Sequence, residues 1–157
     1  MEFEISNKKI GKNQPPFIIA ELSANHNGNI EVAKESIIAA KNSGADAVKL
    51  QTYTPDTMTI NCDSDEFLIK DGLWKGNNLY ELCEKAYTPY EWHDELFKIA
   101  KEENIICFST PFDESAIELL ESLEAPAYKV ASFEVTDLTL LKNIALTKNR
   151  NFLESTL

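Results

Sequence analysis

The sequence of 157 residues has no run of about 18 or more apolar residues, which is the length that a membrane-spanning helix needs. Its opening segment, MEFEISNKKIGKNQ, is polar and lacks the apolar stretch of a secretory signal peptide. Basic residues are in the minority, since 15 lysines and arginines stand against 26 aspartates and glutamates and leave a net charge of −11. This balance disfavours binding to nucleic acid or to an anionic membrane, although a single pocket can still be basic.

Cysteine, histidine and glycine are scarce, with three, two and five residues respectively. Cys62, Cys83 and Cys107 form no CxxC pair and have no zinc-ligand spacing, so we expect free thiols in a reducing cytoplasm. His26 is expected to cap a turn or shape the rim of a site, and His93, on a predicted helix beside Trp92, to be non-catalytic. No HxH or HExxH motif indicates a complete metal site. The missing GxGxxG fingerprint disfavours a dinucleotide-binding fold.

The sequence alternates short apolar runs with segments of helical periodicity. The runs lie at residues 17–20, 47–50, 105–109 and 127–130, and each is unbroken, which is typical of strands buried on both faces of a parallel sheet. We therefore predict an α/β fold of the (β/α)8 TIM-barrel type, here an incomplete barrel of about four βα units that forms one domain over residues 1–157. The opening FEISNKKIGKN predicts a β-hairpin that plugs the barrel floor.

Several residues mark helix starts. Asn29 and Asp113 are predicted N-caps, and TPYE at residues 88–91 has the pattern of a capping box with proline at the first helical position. The connection over residues 52–78 has little pattern. Its Phe67 and Trp74 either cover a site or belong to a surface excursion.

Polar side chains follow each predicted strand, at the end where barrel enzymes carry their chemistry. The candidates are Glu21, Lys49, Gln51, Tyr53, Thr110, Lys129, Ser132 and Glu134. Lys49 and Gln51 are two positions apart, so they share one face of their strand. We expect the whole set to converge on one rim.

Two of these candidates, Lys49 and Lys129, stand inside apolar runs. A buried ammonium is unfavourable unless it is paired or neutralised, and two on neighbouring strands repel each other. A ligand with a phosphate and a carboxylate would relieve both effects. Alternatively, Glu21 and Glu134 pair with the lysines and nothing binds, or one lysine forms a Schiff base with a carbonyl substrate.

Five segments together resemble the sialic acid synthase family: FIIAELSANHNG, GADAVKLQTYTPD, LYELCEKAYTPYEWHDELF, FSTPFD and APAYKVASFE. The resemblance covers roughly residues 17–147, and ELSANHNG and TPYEWH are most similar to the pseudaminic acid synthase branch. It implies a condensation of phosphoenolpyruvate with the open-chain aldehyde of an N-acetylated amino sugar. The product is a nine-carbon 2-keto acid of the pseudaminic or N-acetylneuraminic type, and phosphate is released.

The resemblance also implies roles for the candidates. Glu21 would act as a general acid/base or orient the attacking water. The residues expected to bind phosphoenolpyruvate are Lys49, Thr110, Lys129 and Ser132. Those expected to contact the sugar are Gln51, Tyr53 and Glu134.

Other features of the family fall outside this sequence. Mn²⁺ or Mg²⁺ is implied as the cofactor, but the family's metal-binding histidines correspond to positions beyond residue 157. The C-terminal antifreeze-like domain, which completes the partner's site in family homodimers, is also absent. We therefore expect an N-terminal part of a synthase that is inactive alone and that is poorly stable, aggregates, or pairs with another half. The remaining alternative is a non-catalytic, truncated remnant that at most binds anions or a full-length partner.

Overall fold

The computed structural model describes residues 2–147 and 152–154, which form two sheets flanked by helices. An antiparallel hairpin consists of β1 (Glu2–Ile5) and β2 (Lys8–Gly11). The parallel sheet contains β3 (Ile19–Glu21), β4 (Ala47–Thr52), β5 (Ile106–Pro111), β6 (Tyr128–Val130) and β7 (Phe152–Glu154). The helices are α1 (Ile30–Asn42), α2 (Pro55–Met58), α3 (Leu79–Ala86), α4 (His93–Glu102), α5 (Glu114–Ser122) and α6 (Leu138–Leu146).

Each strand of the parallel sheet lies beside the next strand along the chain, as in a (β/α) barrel. The predicted incomplete barrel of four βα units behind a hairpin is confirmed. The fifth strand, β7, was not predicted, because its segment NFLES offers only two adjacent apolar residues. In the part of the chain that the structure describes, no helix is both long and apolar enough to cross a membrane.

One apolar layer lies between the sheet and the helices. Val48 and Leu50 of β4 pack there with Ile37 of α1 and Leu96 of α4, and all four are at most 1% exposed. These two strand residues alternate with the polar Lys49 and Gln51. Because side chains alternate across a strand, Lys49 and Gln51 face the opposite, inner side of the sheet.

The second apolar cluster lies on that inner side and includes the hairpin. Ile5 is fully buried together with Ala47, Phe108 and Ala127. Ala47 opens β4 and Ala127 directly precedes β6, so the cluster lies towards the amino ends of the strands. Burial of a side chain such as Ile5 contributes about 1.5–3 kcal/mol. The hairpin therefore closes the interior at this end, as the sequence predicted.

The helix caps agree with the sequence in two cases and differ in one. Asn29 accepts a hydrogen bond from the backbone of Glu31, and Asp113 accepts one from that of Ala116. The prediction of a capping box at residues 88–91 is wrong, since the 3₁₀ turn Tyr90–Trp92 has no side-chain cap. Thr88 is instead buried, and its Oγ1 lies 3.4 Å from Nε2 of His26. A tertiary contact has replaced the local one.

The connection between β4 and α3 lies at the surface. It contains α2 and a single antiparallel bridge between Leu68 and Asn78. Leu73 and Trp74 are 96% and 56% exposed. The interpretation as a surface excursion is therefore the one that the structure favours.

Candidate functional site

The register of the strands brings four candidates side by side. Glu21 is paired in register with Lys49, and Gln51 is paired with Thr110 on the next strand. Lys49 and Gln51 belong to the same inner face of β4. The carboxyl ends of β3, β4 and β5 thus present these four side chains to one space, directly above the cluster of Phe108 and Ile5.

The next strand adds a second lysine to this layer. Ser109 is in register with Tyr128, so the residues that follow them, Thr110 and Lys129, lie level with each other. Tyr128 and Val130 pack on the helix side, which leaves Lys129 on the inner side. Both lysines therefore face the same interior.

Lys49 is held by two oxygen atoms from neighbouring strands. Its Nζ lies 2.7 Å from Oε2 of Glu21 and 3.5 Å from Oγ1 of Thr110. The lysine is 5% exposed, whereas the Glu21 side chain is 59% exposed. The pairing that the sequence offered as an alternative is thus real for Lys49. Because the carboxylate reaches water, it can give way to another anion at small energetic cost.

Lys129 has a different environment. It is only partly buried, which corrects the expectation of two buried lysines, and it is the middle residue of the three-residue strand β6. In the described ranges it forms no ion pair. Burial, and then the positive charge of Lys49, lower the pKa of Lys129.

Glu134 faces this lysine without binding it directly. Its Oε2 is buried and, among the described residues, has no hydrogen-bond partner. Burial raises the pKa of the Glu134 carboxyl, while the positive charge of Lys129 opposes that rise. A buried acceptor without a donor is rare in folded proteins and marks a position that a bound group can complete.

Two further candidates have weaker connections to this group. Ser132 begins the 3₁₀ turn Ser132–Thr136 that also carries Glu134. Tyr53 is buried with its ring edge on Phe112, at 5.5 Å between ring centroids, and burial raises its pKa to about 12. In residues 2–147, no hydrogen bond joins Tyr53 to another candidate.

Ser23 is a site residue that the sequence reasoning missed. Its Oγ donates to Oε1 of Gln51 at 3.1 Å. The register between β3 and β4 could have identified it, because Glu21 pairs with Lys49 and Ser23 follows Glu21 by two positions, as Gln51 follows Lys49. The contact between Ser23 and Gln51 can be predicted only when the pairing of β3 with β4 is known.

A second missed feature lies behind the site, on the helix side. Oγ1 of Thr52 lies 2.8 Å from Nε2 of His93 and 2.6 Å from Oγ of Ser109, and all three residues are fully buried. Nδ1 of His93 lies 3.1 Å from the carbonyl oxygen of Pro89, which can only accept. The proton order follows: Ser109 donates to Thr52, Thr52 to His93, and His93 to Pro89.

His26 is a structural residue of the turn after β3. Its Nδ1 accepts from the backbone N–H of Gly28 at 3.1 Å, and its ring contacts Trp92 edge-on at 5.4 Å between centroids. Burial lowers the pKa of His26, so the neutral ring is favoured. The expectation that it caps a turn agrees with this geometry.

Metal ligands are not assembled in this part of the chain. Across the described residues, no three histidine, cysteine, aspartate or glutamate side chains are grouped as a metal site. Both histidines use their ring nitrogens in hydrogen bonds to the protein.

A model of the NeuB family matches residues 36–156. The chain belongs to the NeuB family. It is 56% identical over 142 residues to the pseudaminic acid synthase of Helicobacter pylori, which covers 90% of this chain and 42% of that protein. It is 55% identical over 132 residues to that of Campylobacter jejuni, covering 84% of this chain and 38% of that protein.

A solved structure agrees with the sequence relationship. The N-acetylneuraminic acid synthetase of Leptospira borgpetersenii, in complex with citrate, superposes with a TM-score of 0.77 at 29% identity, covering 92% of this chain and 46% of that one. The resemblance to the sialic acid synthase family and its pseudaminic acid branch is confirmed. The chain spans 38–42% of the length of these two curated relatives.

Proposed function

We propose that this chain forms the phosphoenolpyruvate-binding part of a cytoplasmic synthase that condenses phosphoenolpyruvate with an N-acetylated amino sugar aldehyde. The observation that carries the proposal is the pair of lysines on one inner layer, one held by an exposed carboxylate and the other without an ion pair in residues 2–147. Two positive charges on one inner layer suit the phosphate and the carboxylate of one small molecule. The names of the relatives support the class of product.

The reaction needs few protein groups. The C3 carbon of phosphoenolpyruvate forms a bond to the aldehyde carbon, whose oxygen takes up a proton. Water adds to the electron-poor C2 that this step leaves and loses one proton; the C2–O bond to phosphate then breaks, and the C2 hydroxyl passes its proton to the leaving phosphate as the 2-keto acid forms. The protein has to hold two substrates in line and to move two protons.

Each described candidate suits one of these tasks. Lys49, Thr110 and Lys129 would bind phosphoenolpyruvate, together with Ser132 at the start of its turn. When the incoming anion takes over Lys49, the Glu21 carboxylate is released and can accept the proton of the attacking water.

The sugar would lie above this layer. Gln51 offers its amide, Glu134 its unpartnered oxygen, and Tyr53 remains a proposed contact from the same strand end. Among the described residues, no three histidine, cysteine, aspartate or glutamate side chains are grouped as ligands for Mn²⁺ or Mg²⁺. The metal and the homodimer stay proposals for the whole protein, of which this chain matches a part.

The first test is calorimetric titration of the chain with phosphoenolpyruvate. We expect one site per chain, lost on addition of excess inorganic phosphate, and no binding of a neutral analogue. The second test uses a hybrid in which the 142 matched residues of this chain replace those of the Helicobacter pylori synthase. We expect this hybrid to release phosphate from phosphoenolpyruvate only when an N-acetylated amino sugar is present, and the isolated chain to show no turnover.

A Schiff-base aldolase is the second candidate, and one observation favours it. The pKa of Lys129 is lowered, which raises the fraction of neutral amine that attacks a carbonyl. Borohydride reduction in the presence of pyruvate distinguishes the two functions by mass spectrometry. A covalent adduct on Lys129 would replace the synthase proposal, and an unmodified lysine would reject the aldolase.

A further inference from the structure

Two side-chain contacts connect β3 and β4, the first two strands of the parallel sheet, on its inner face. One is the ion pair between Glu21 and Lys49, and the other, two residues further along the chain on both sides, is the hydrogen bond from Ser23 to Gln51. The backbone supports this spacing, because the Leu22 N–H bonds to the carbonyl oxygen of Lys49 at 3.1 Å and continues the ladder. Ser23 therefore reaches Gln51 from a fixed position.

The turn that carries Ser23 has an unusual backbone. Ser23 has φ 49° and Asn27 has φ 50°, in the left-handed region that disfavours most side chains. The buried His26 ring holds this turn through Gly28 and Trp92. Glycine is the residue most easily accommodated at such a φ. At position 23 the chain has serine instead, and its hydroxyl is the group that bonds to Gln51.

In the structure, that hydrogen bond holds the Oε1 end of the Gln51 amide towards Ser23. A side-chain amide has one acceptor oxygen and two N–H donors, which can exchange by a flip. Since Oε1 accepts from Ser23, the N–H groups remain for another partner, and no protein acceptor binds them in the described ranges. The ordered amide presents donors to whatever lies above the lysine layer.

We infer that Ser23 is a positioning residue that locks the Gln51 amide so that its N–H groups donate to an acceptor oxygen of the amino sugar. The inference rests on the proposed function and deepens it, because it states which kind of group on the amino sugar the site recognises. An N-acetyl carbonyl or a hydroxyl oxygen satisfies this donor. Ser23 itself need not touch the sugar.

The first experiment observes the amide directly in the chain. In ¹H–¹⁵N correlation spectra, we expect the two Gln51 side-chain protons to be well separated and slow to exchange with water. In Ser23→Gly they should move to the positions of exposed glutamines. Asn27→Gly is the matched control, because it also replaces a residue of positive φ, but the Asn27 side chain is exposed and makes no described contact with Gln51. An unchanged Gln51 signal in Ser23→Gly would overturn the inference.

The second experiment measures kinetics in the hybrid with a diacetamido hexose and with N-acetylmannosamine. We expect Ser23→Gly to raise the KM of the sugar about 3- to 10-fold, the effect of one lost hydrogen bond, with kcat and the KM of phosphoenolpyruvate unchanged. Ser23→Asn should restore the KM, because asparagine tolerates positive φ and has an N–H donor for Oε1.

The outcomes separate this inference from the proposed function. A hybrid without any turnover rejects the proposed function, while the amide spectra still decide the role of Ser23. An active hybrid in which Ser23→Gly keeps the wild-type KM, or in which Ser23→Asn behaves like Ser23→Gly, rejects the positioning role and leaves the proposed function standing.

Discussion

Lys129 lies on the same inner layer as Lys49, and the charge of Lys49 helps to lower its pKa. Replacing Lys129 with methionine removes this repulsion and the burial of an ammonium. We expect Lys129→Met to leave the free energy of unfolding unchanged or slightly higher, and to weaken phosphoenolpyruvate binding by about 10-fold or more through the lost charge-assisted contact. Thermal unfolding and calorimetric titration measure the two effects.

The control for this variant is Lys142→Met, which removes an exposed charge from α6. It should bind phosphoenolpyruvate as the wild type does. If Lys129→Met also binds with wild-type affinity, the anion-pocket interpretation is wrong.

The Glu21 carboxylate competes with any anion for the Lys49 ammonium. Glu21→Gln removes that competition and also removes the proposed proton acceptor. We therefore expect inorganic phosphate to bind several-fold more tightly to the variant, while turnover in the hybrid is abolished. Glu31→Gln makes the same change of net charge on α1, where Glu31 pairs with Lys34, and should alter neither quantity. Weaker phosphate binding in Glu21→Gln would contradict the exchange of anions at Lys49.

Ile5 fills the inner cluster from the hairpin and is fully buried. Ile5→Ala removes three carbon atoms and leaves a cavity beneath Phe108. We expect the free energy of unfolding to fall by about 2–4 kcal/mol in denaturant titrations. Ile60→Ala, at a residue that is 62% exposed, should cost less than about 0.5 kcal/mol. Equal costs for the two variants would show that the hairpin does not seal the interior.

The hydrogen bond between Thr52 and His93 predicts strong coupling between their substitutions. His93→Phe leaves the Thr52 hydroxyl without its acceptor, and Thr52→Val leaves Nε2 of His93 without its donor. Each single variant should lose about 1–3 kcal/mol of stability. The double variant should lose less than the sum, with a coupling of about 0.5–3 kcal/mol. Simple additivity in this cycle would reject the proton order from Ser109 through Thr52 to His93.

Stability is expected to fall on mild acidification. Burial lowers the pKa of both His26 and His93 from the ordinary value of 6.5. The unfolded chain therefore takes up these protons first, so the free energy of unfolding decreases as pH falls below about 6.5, by at most about 1.4 kcal/mol per pH unit for each histidine. Denaturant titrations between pH 7.5 and pH 5 at roughly half-unit steps give the slope.

Two variants check the assignment of that slope. His93→Phe should reduce it by the contribution of one proton. Glu134 acts in the opposite direction, because its raised pKa makes the folded state take up a proton sooner. Glu134→Gln should therefore steepen the loss of stability at acidic pH, and a slope that His93→Phe leaves unchanged would assign the effect elsewhere.

The sequence was sufficient for the order of the hairpin, the first four parallel strands and their main helices, and for the inner face of β4, but it did not predict α2, α3 or β7. Unbroken apolar runs identified the buried strands, and the spacing of Lys49 and Gln51 placed them on one face before any pairing was known. The caps at Asn29 and Asp113 followed from local hydrogen bonding, which needs only neighbouring residues.

Contacts between residues that are distant in the sequence could not be predicted from local patterns. The Thr88 hydroxyl lies beside His26 instead of capping a helix, because a partner distant in the sequence competes for it. The contact from Ser23 to Gln51 depends on the register between two strands. The partial exposure of Lys129 was not revealed by its apolar run, because exposure depends on which other elements cover the strand.

The hydrogen bonds among Ser109, Thr52 and His93 depend on the register between β4 and β5. Strand β5 ends in Ser109 and Thr110 before its final proline, so a slide by one position would exchange the faces of these two hydroxyls and would also move Phe108 out of the inner apolar cluster. Only the outer hydroxyl meets the imidazole system anchored at the start of α4. In this alignment the Thr52 hydroxyl satisfies both His93 and Ser109, and Thr110, on the opposite face of β5, is left beside the Lys49 ammonium.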